Sequence, residues 1–264
     1  AMVSDGSDAK YSSYEISQYE RNAGLRSERY PNVDWLDKYF RDGSWVQRYN
    51  LTISGGVPKT RYFINAGYTH QGGMFNTDDE YKYTTNNKAD RYNLRSNVEM
   101  DLTKTTRLNI DLYGWYETQT YPGTSAYDVY RALLTTPANA FPEWYADTGD
   151  YVDGAGNRVT GFNGKIIATN DKTRENPWAM LNRAGYNKNN RVYGSFRTAL
   201  RQDLSMITPG LEVSAVLSMD SETNSTIGRI KKYASYYMGD WSNPTRLTKV
   251  GEDAAMTNTV DGKN

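Results

Sequence analysis

Few residues in this chain are of the types that carry out catalysis. His70 is the one histidine among 264 residues, and it lies in Thr69-His70-Gln71 with no nucleophile motif nearby. A serine-type triad needs a histidine beside a nucleophile, with a third group to orient it. The sequence therefore predicts that the chain is not an enzyme and that it has no catalytic residue.

Acidic residues form two short clusters that could take part in sugar or cation chemistry. Asp78-Asp79-Glu80 could supply the two carboxylates of a glycosidase, but such a pair needs a defined separation, and a solvated loop is the simpler interpretation. Asp147, Asp150 and Asp153 could offer oxygen ligands to calcium, but the twelve-residue pattern with a terminal glutamate is missing. We expect acidic turns here, with no metal and no cofactor.

The composition narrows the class of protein. The net charge is zero, with 31 basic and 31 acidic residues, so the chain lacks the basic excess of a nucleic-acid binder. There is no cysteine, which excludes disulfides and thiolate metal sites. The chain has 23 tyrosines and 6 tryptophans although only 38% of it is hydrophobic. Tyrosine suits surfaces that are apolar on one side and wet on the other, such as a membrane interface or a sugar-binding surface.

Aromatic residues also mark one long segment as a candidate contact site. Trp144, Tyr145, Tyr151 and Trp178 lie between regions of strong alternation. Flat rings of this kind can stack on sugars or anchor a partner protein. They can equally pack the segment onto itself. Both interpretations stay open at this stage.

The elements that would position these residues are indicated by polar and apolar alternation with a period of two. It predicts strands near 45–55, 61–70, 91–102, 107–118, 191–203 and 210–221, each paired with its neighbour in sequence. Soluble strands average about 5–6 residues, whereas a tilted strand that crosses a bilayer needs about 9–11. No stretch of 18 apolar residues occurs, so no transmembrane helix is predicted.

The connections between these strands alternate between short and long. A short link at 103–106 is followed by a long loop at about 118–190, and the same alternation holds elsewhere. Outer-membrane barrels sort their loops in this way, with tight periplasmic turns and long extracellular loops. The predicted fold is all-β, with antiparallel up-and-down strands that form part of a large transmembrane β-barrel. The alternative is a soluble all-β surface or carbohydrate-binding module.

The alternation also predicts the direction of each side chain. Charged residues are expected to face the lumen, namely Arg91, Arg95, Glu99, Asp101 and Asp111. Apolar residues are expected to face lipid, namely Leu94, Val98, Met100, Leu108, Ile110 and Leu112. Aromatic residues near strand ends are expected to form interface girdles, namely Trp45, Tyr62, Tyr68 and Tyr92.

Residues outside the hairpins have weaker patterns. Residues 1–44 are expected to be a loop with a short helix at Val33–Phe40, capped by Asn32. The hairpins occupy 45–222, and a second short helix is expected at Ala126–Leu134 within the long loop. Residues 223–264 are expected to be a polar loop with a tentative strand near Lys232–Met238.

Several sequence runs together resemble a known family. They are YPNVDWL at 30–36, YNLTISGG at 49–56, KTRYF at 59–63, GY at 67–68, QGG at 71–73, RYNLRSN at 91–97, NPWAMLN at 176–182 and TPGL at 208–211. In this order and at this spacing they resemble the SusC/RagA family of TonB-dependent outer-membrane transporters over about residues 30–222.

That resemblance implies a large outer-membrane importer with a plug domain inside its barrel, energised by TonB and capped by a SusD-like surface lipoprotein. Its substrates would be glycans or peptides. The chain departs from the pattern, since no plug domain or TonB-contacting segment is evident and the strands are fewer than the roughly 22 of such transporters. We therefore expect an internal piece of the barrel wall in the bacterial outer membrane, ending in a loop-like tail at 261–264.

Overall fold

The computed structural model describes residues 11–23, 25, 27–78, 85–172 and 175–263. Its helices are α1 (Ser13–Arg21), α2 (Trp35–Tyr39), α3 (Ala126–Thr135) and α4 (Pro177–Asn182). Its long strands are β1 (Val46–Val57), β2 (Thr60–Gln71), β3 (Lys88–Asp101), β4 (Thr106–Pro122), β7 (Gly185–Asp203), β8 (Glu212–Ile230) and β11 (Thr257–Lys263). Its short strands are β5 (Trp144–Ala146), β6 (Lys165–Ile167), β9 (Ser235–Tyr237) and β10 (Thr248–Val250).

The seven long strands form one open antiparallel sheet in the order β1-β2-β3-β4-β7-β8-β11. The predicted all-β, up-and-down fold is therefore confirmed, and an open sheet is the form that a segment of a barrel wall takes. All six predicted strands are present and pair as expected. Strands β4, β7 and β8 extend beyond their predicted bounds on the side of the long connections. The prediction stopped short there because these extensions are rich in Thr, Asn and Ser and lack the apolar alternation that marks a strand.

The last part of the chain differs from the prediction. Residues 223–230 continue β8, and Thr257–Lys263 forms β11, which pairs with β8 so that Thr257 lies opposite Ile230. The expectation of a loop-like tail was wrong: β11 has a single apolar side chain, Val260, so its sequence shows no alternation, and only the pairing with β8 defines the strand. The tentative strand near Lys232–Met238 is present only as the three residues of β9.

Connection lengths follow the predicted alternation. Residues 58–59, 102–105 and 204–211 make short links at one end of the sheet, and residues 72–87, 123–184 and 231–256 make long links at the other. We call the long-link end the loop end and the opposite end the turn end.

The hydrophobic core lies outside the sheet, among the long connections. We call this unit the loop domain; it comprises α2 and the described parts of residues 72–87, 123–184 and 231–256. Its core includes Trp35, Val129, Phe141, Ile166, Trp178, Leu181 and Leu247. Among the described residues, no helix is both long and apolar enough to cross a membrane.

Two helices were expected near their observed positions. The helix expected at Ala126–Leu134 is confirmed as α3. The helix expected at Val33–Phe40 is α2, which is shorter than expected. Its N-cap is Asp34, whose side chain accepts a hydrogen bond from the N–H of Asp37 at 3.0 Å. The assignment of Asn32 as the cap was wrong, because its side-chain amide instead donates to the carbonyl of Tyr19.

Candidate functional site: two faces of a sheet and the loop domain

One face of the sheet collects the charged side chains. Directly opposed residues of an antiparallel pair point to the same side, and successive residues point to opposite sides. Arg91, Arg95, Glu99 and Asp101 are odd-numbered residues of β3, and Asp111 of β4 lies opposite Asn97. All five residues predicted to face the lumen therefore share one side, which we call the polar face. That this side borders a lumen remains a prediction.

Near the turn end, the polar face carries a network of ion pairs. Arg107 of β4 lies 2.8 Å from Asp101 and 3.2 Å from Glu99, and Arg61 of β2 also pairs with Glu99. The surface here forms a pocket of about 570 Å³, bordered by residues of β2, β3, β4, β7 and β8. The ion pairs stabilise these charges on a solvent-accessible surface.

Closer to the loop end, three aromatic rings interrupt the polar face. The ring centroids of Trp115 and Tyr193 are 6.0 Å apart in a stacked arrangement, and those of Tyr113 and Tyr193 are 5.9 Å apart. Two guanidinium groups flank Trp115, with Arg91 at 4.5 Å and Arg191 at 5.4 Å from its ring centroid. We call Tyr113, Trp115 and Tyr193 the aromatic platform. Sequence analysis did not select it, although aromatic residues at positions of the charged face were the available signal.

Two arginines beside the platform have free guanidinium groups. Arg95 lies directly opposite Tyr113, and Arg197 lies opposite Asp111. Neither arginine has an ion pair within 4.0 Å among the described residues. Asp111 accepts a hydrogen bond from the Asn97 amide. The geometry thus combines flat rings with unpaired cations, an arrangement that can bind a ring-bearing or carboxylate-bearing ligand.

The other side of the sheet, which we call the apolar face, carries mainly apolar side chains. Leu94, Val98 and Met100 of β3 share it with the apolar residues of β4, namely Leu108, Ile110 and Leu112. Leu94 and Leu112 are exposed, at 52% and 46%, and the other four side chains are half-buried. The predicted separation of Leu94 from Arg95 and Glu99 is therefore present.

A row of four tyrosines crosses the apolar face near the loop end. Tyr49, Tyr68, Tyr92 and Tyr116 are successive cross-strand partners, with ring centroids 6.3, 4.8 and 6.3 Å apart along the row. Between this row and Met100 the strand advances roughly 26 Å at about 3.3 Å per residue. Because the strands of such barrels are tilted, this stretch would span somewhat less than that length across the membrane, close to the height of about 25 Å of an apolar membrane band.

The other two residues predicted for girdles lie at opposite ends of the sheet. Tyr62 is on the apolar face towards the turn end, and Trp45, 84% exposed, precedes β1 at the loop end. His70 lies one step beyond the tyrosine row, where its Nδ1 is 2.7 Å from an oxygen of Asp90. The hydroxyl of Tyr68 donates to the same oxygen at 2.7 Å.

The four predicted contact aromatics are mostly buried. Trp178 is 0% exposed, Tyr145 3% and Tyr151 7%, and Trp144 is half-buried. The rings of Trp144 and Trp178 pack with centroids 5.0 Å apart. This arrangement corresponds to the alternative in which the segment packs onto itself. A contact with substrate or with a lid protein stays a prediction, and the buried rings would act in it by holding the loop domain in shape.

Asp78 joins two of the long connections. The indole N–H of Trp178 donates to its carboxylate at 2.9 Å, and Lys165 lies 3.1 Å from the same oxygen. The backbone N–H of Asp78 donates to the side-chain oxygen of Asn182 at 2.8 Å. Its role is therefore to tie residues 72–78 to α4. Asp79 and Glu80, the other members of the predicted acidic cluster, lie outside the described residues.

The buried carboxylate of Glu143 holds α2 against the rest of the loop domain. Glu143 accepts from Lys38 at 2.8 Å and from the hydroxyl of Tyr39. Burial and the neighbouring Glu143 carboxylate raise the pKa of Tyr39 far above its usual range. Burial also raises the pKa of Tyr145 to about 12, against a hydrogen bond with the backbone of Met238 that lowers it.

Two members of the second predicted acidic cluster, Asp147 and Asp153, cap turns. Asp147 accepts from the N–H groups of Gly149 and Gly161 at 3.1 and 2.9 Å. Hydrogen bonds from the side chain and backbone of Asn157 hold the pKa of Asp153 below its usual value. Within the part of the chain that the structure describes, no group of three or more acidic or histidine side chains could hold a metal ion.

Comparisons with known proteins relate the chain to one class of receptor. No family model matches it. It is 28% identical over 95 residues to TonB-dependent receptor P3 of Formosa agariphila, a match that covers 36% of this chain and 8% of that protein. The solved structure of the RagAB peptide transporter matches 88% of this chain at 14% identity, with a TM-score of 0.34. The chain spans 28% of that transporter chain. It is thus similar in sequence to a TonB-dependent receptor over about a third of its length.

Proposed function

We propose that this chain is a segment of the wall and extracellular loops of an outer-membrane TonB-dependent nutrient importer of the SusC/RagA type. The observation that carries the proposal is the two-faced sheet. Its apolar face, bounded by the tyrosine row, suits lipid, and its charged face suits a water-filled lumen. The sequence similarity to a TonB-dependent receptor supports the same assignment.

The uncovered apolar face argues against the alternative of a soluble module. Four apolar side chains of this face, spread over β1, β3 and β8, are each more than half exposed, namely Leu51, Leu94, Leu217 and Met219. Soluble monomers rarely leave contiguous apolar surface of this extent open to water. Lipid removes the penalty, because acyl chains solvate these side chains.

The loop domain would form part of the extracellular vestibule. Loops on a rigid scaffold commonly carry the binding residues of a protein, and all the long connections gather at one end of the sheet. In this proposal a SusD-like lipoprotein covers the vestibule as a lid. TonB would act through regions of the transporter other than this segment.

The aromatic platform is the part of the polar face best suited to contact the substrate, a glycan or a peptide. Tyr113 and Arg95 are adjacent and exposed, so that a ring can stack while a carboxylate or hydroxyl meets the guanidinium. Because β3, β4 and β7 carry these groups, their positions are fixed by strand pairing rather than by a loop.

Uptake by intact cells tests the proposal. Cells that express the intact transporter would be supplied with labelled oligosaccharides or labelled peptides, in the presence and absence of TonB. We expect TonB-dependent uptake of one of these classes and co-purification of a surface lipoprotein with the transporter. The assignment would be refuted if the protein were recovered as a soluble species, with or without TonB, and if the cells took up neither class of substrate.

A further inference from the structure

Charge on the apolar face is confined to its loop end. In the strands that the structure describes, this face carries three cations, Lys88, Lys188 and Arg229, all beyond the tyrosine row. In the same described strands, the one carboxylate on this face is Asp90, which His70 and Tyr68 contact and which also attracts Lys88 electrostatically. From the tyrosine row to the turn end the face has no charged residue.

The three cations are close enough to act together. Lys88 of β3 and Lys188 of β7 both lie opposite Thr120 of β4, on its two sides. Two strand spacings separate their backbones by roughly 10 Å, a gap that two extended lysine side chains can close. Arg229 lies opposite Tyr186, which makes it a diagonal neighbour of Lys188 at about 7–8 Å.

None of the three cations has an ion-pair partner within 4.0 Å in the described portion of the chain. Lys188 and Arg229 are exposed, and Lys88 is half-exposed. A cluster of cations without close ion pairs, just outside an apolar band and its aromatic boundary, can bind anionic lipid head groups. Towards the turn end the described strands place no cation on this face, and Lys59 and Lys104 there lie singly in two separate links, so the cluster is a feature of the loop end.

We propose that Lys88, Lys188 and Arg229 form a binding site for the phosphate groups of lipid A in the outer leaflet. The inference rests on the proposed function, because it requires the apolar face to lie in the outer membrane. The acyl chains of the lipid would cover the apolar band below the tyrosine row while the phosphates meet the cations above it. A lipid bound in this way would also fix the depth of the segment in the membrane.

Native mass spectrometry of the intact transporter tests the site. The protein, purified in detergent, would be incubated with phosphorylated lipid A or with its dephosphorylated form. We expect the parent to bind the phosphorylated form more than about tenfold more tightly, from the roughly additive contribution of three cations near a charged lipid surface. The variant Lys88→Gln/Lys188→Gln/Arg229→Gln should lose this preference.

The matched control removes three arginines of the polar face, Arg48, Arg95 and Arg197, none of which has an ion pair within 4.0 Å among the described residues. Arg48→Gln/Arg95→Gln/Arg197→Gln makes the same change in net charge and should keep the preference for phosphorylated lipid A. Equal loss in both triple variants, or no loss in the first, would overturn the proposed site. Displacement of lipid A by inorganic phosphate at matched concentration would overturn the assignment to a lipid.

A spin label at Leu217 distinguishes failure of the site from failure of the proposed function. Leu217 is on the apolar face of β8 and 63% exposed, three strands away from Lys88 and twelve residues before Arg229 on the same strand. If the label lies in lipid while the first triple variant retains its preference, the lipid A site alone is wrong. If the label lies in water, the proposed membrane function is wrong.

Discussion

Ile110 lies directly opposite Val98, and both side chains are on the apolar face, whereas the preceding residue, Asn109, is on the polar face opposite Glu99. This pair of adjacent positions provides a matched test of facing. We predict that Ile110→Arg impairs assembly of the intact barrel, because an arginine that faces lipid costs up to about 2–4 kcal/mol, the value at the bilayer midplane.

Asn109→Arg should assemble normally, since its side chain would enter water beside Glu99. Heat-modifiable migration of the folded barrel on a gel measures assembly for both variants. Equal assembly of the two variants, or a greater defect in Asn109→Arg, would exclude the assignment of the apolar face to lipid.

Trp178 is predicted to stabilise the loop domain. We expect Trp178→Ala to lower its local free energy of unfolding by about 3–5 kcal/mol, because the ring is fully buried and its N–H bonds to Asp78. Hydrogen exchange of the loop domain measures this change. Tyr127→Ala, which removes a 73% exposed ring in α3, is the control and should leave the exchange rates nearly unchanged.

Loss of the packing between Trp144 and Trp178 should impair transport because it alters the shape of the vestibule. We predict that Trp144→Ala/Trp178→Ala reduces uptake or lid association of the intact transporter while the barrel still assembles. Parent-level uptake and lid binding, despite faster exchange in the loop domain, would limit these rings to local packing.

The aromatic platform is predicted to contact the substrate. Tyr113→Ala should weaken substrate binding by about 1 kcal/mol or more, or roughly fivefold, because it removes an exposed stacking surface without opening a core. Calorimetry with the transported class of oligosaccharide or peptide measures the change. The control is Tyr62→Ala, on the apolar face, which should not alter binding; a similar loss in both would remove the platform from the binding site.

Tyr145 is predicted to remain protonated in strongly alkaline solution. Its pKa is raised to about 12 from the model-compound value of 10.0, chiefly by burial. The stabilisation of the folded loop domain by neutral Tyr145 is therefore complete below about pH 10 and is lost as the pH rises through about 12. The ultraviolet difference between the parent and Tyr145→Phe should show this ionisation near pH 12, and near pH 10 after unfolding in urea. Ionisation of the folded protein near pH 10 would contradict the burial.

The strands were predictable because their pattern is local. Leu94 and Arg95 report opposite faces from sequence alone, and strand pairing does not change this. The loop domain was not predictable, because its core joins Trp35, Phe75, Trp178 and Leu247 from four distant parts of the chain. The aromatic platform was missed for the same reason, since Trp115 and Tyr193 become neighbours only when β4 pairs with β7. β11 carries no amphipathic signal and is defined only by its partner.

The central claim, that this sheet is a membrane wall with lipid on one face and water on the other, is tested most directly by site-directed spin labelling along β3. This chain has no cysteine, so each label introduced at positions 94–101 is unique within it. In the intact transporter in lipid vesicles, we predict that labels at even positions collide mainly with lipid-soluble oxygen. Labels at odd positions should collide mainly with a water-soluble nickel complex. Water accessibility at both sets of positions, or no period of two, would contradict the account.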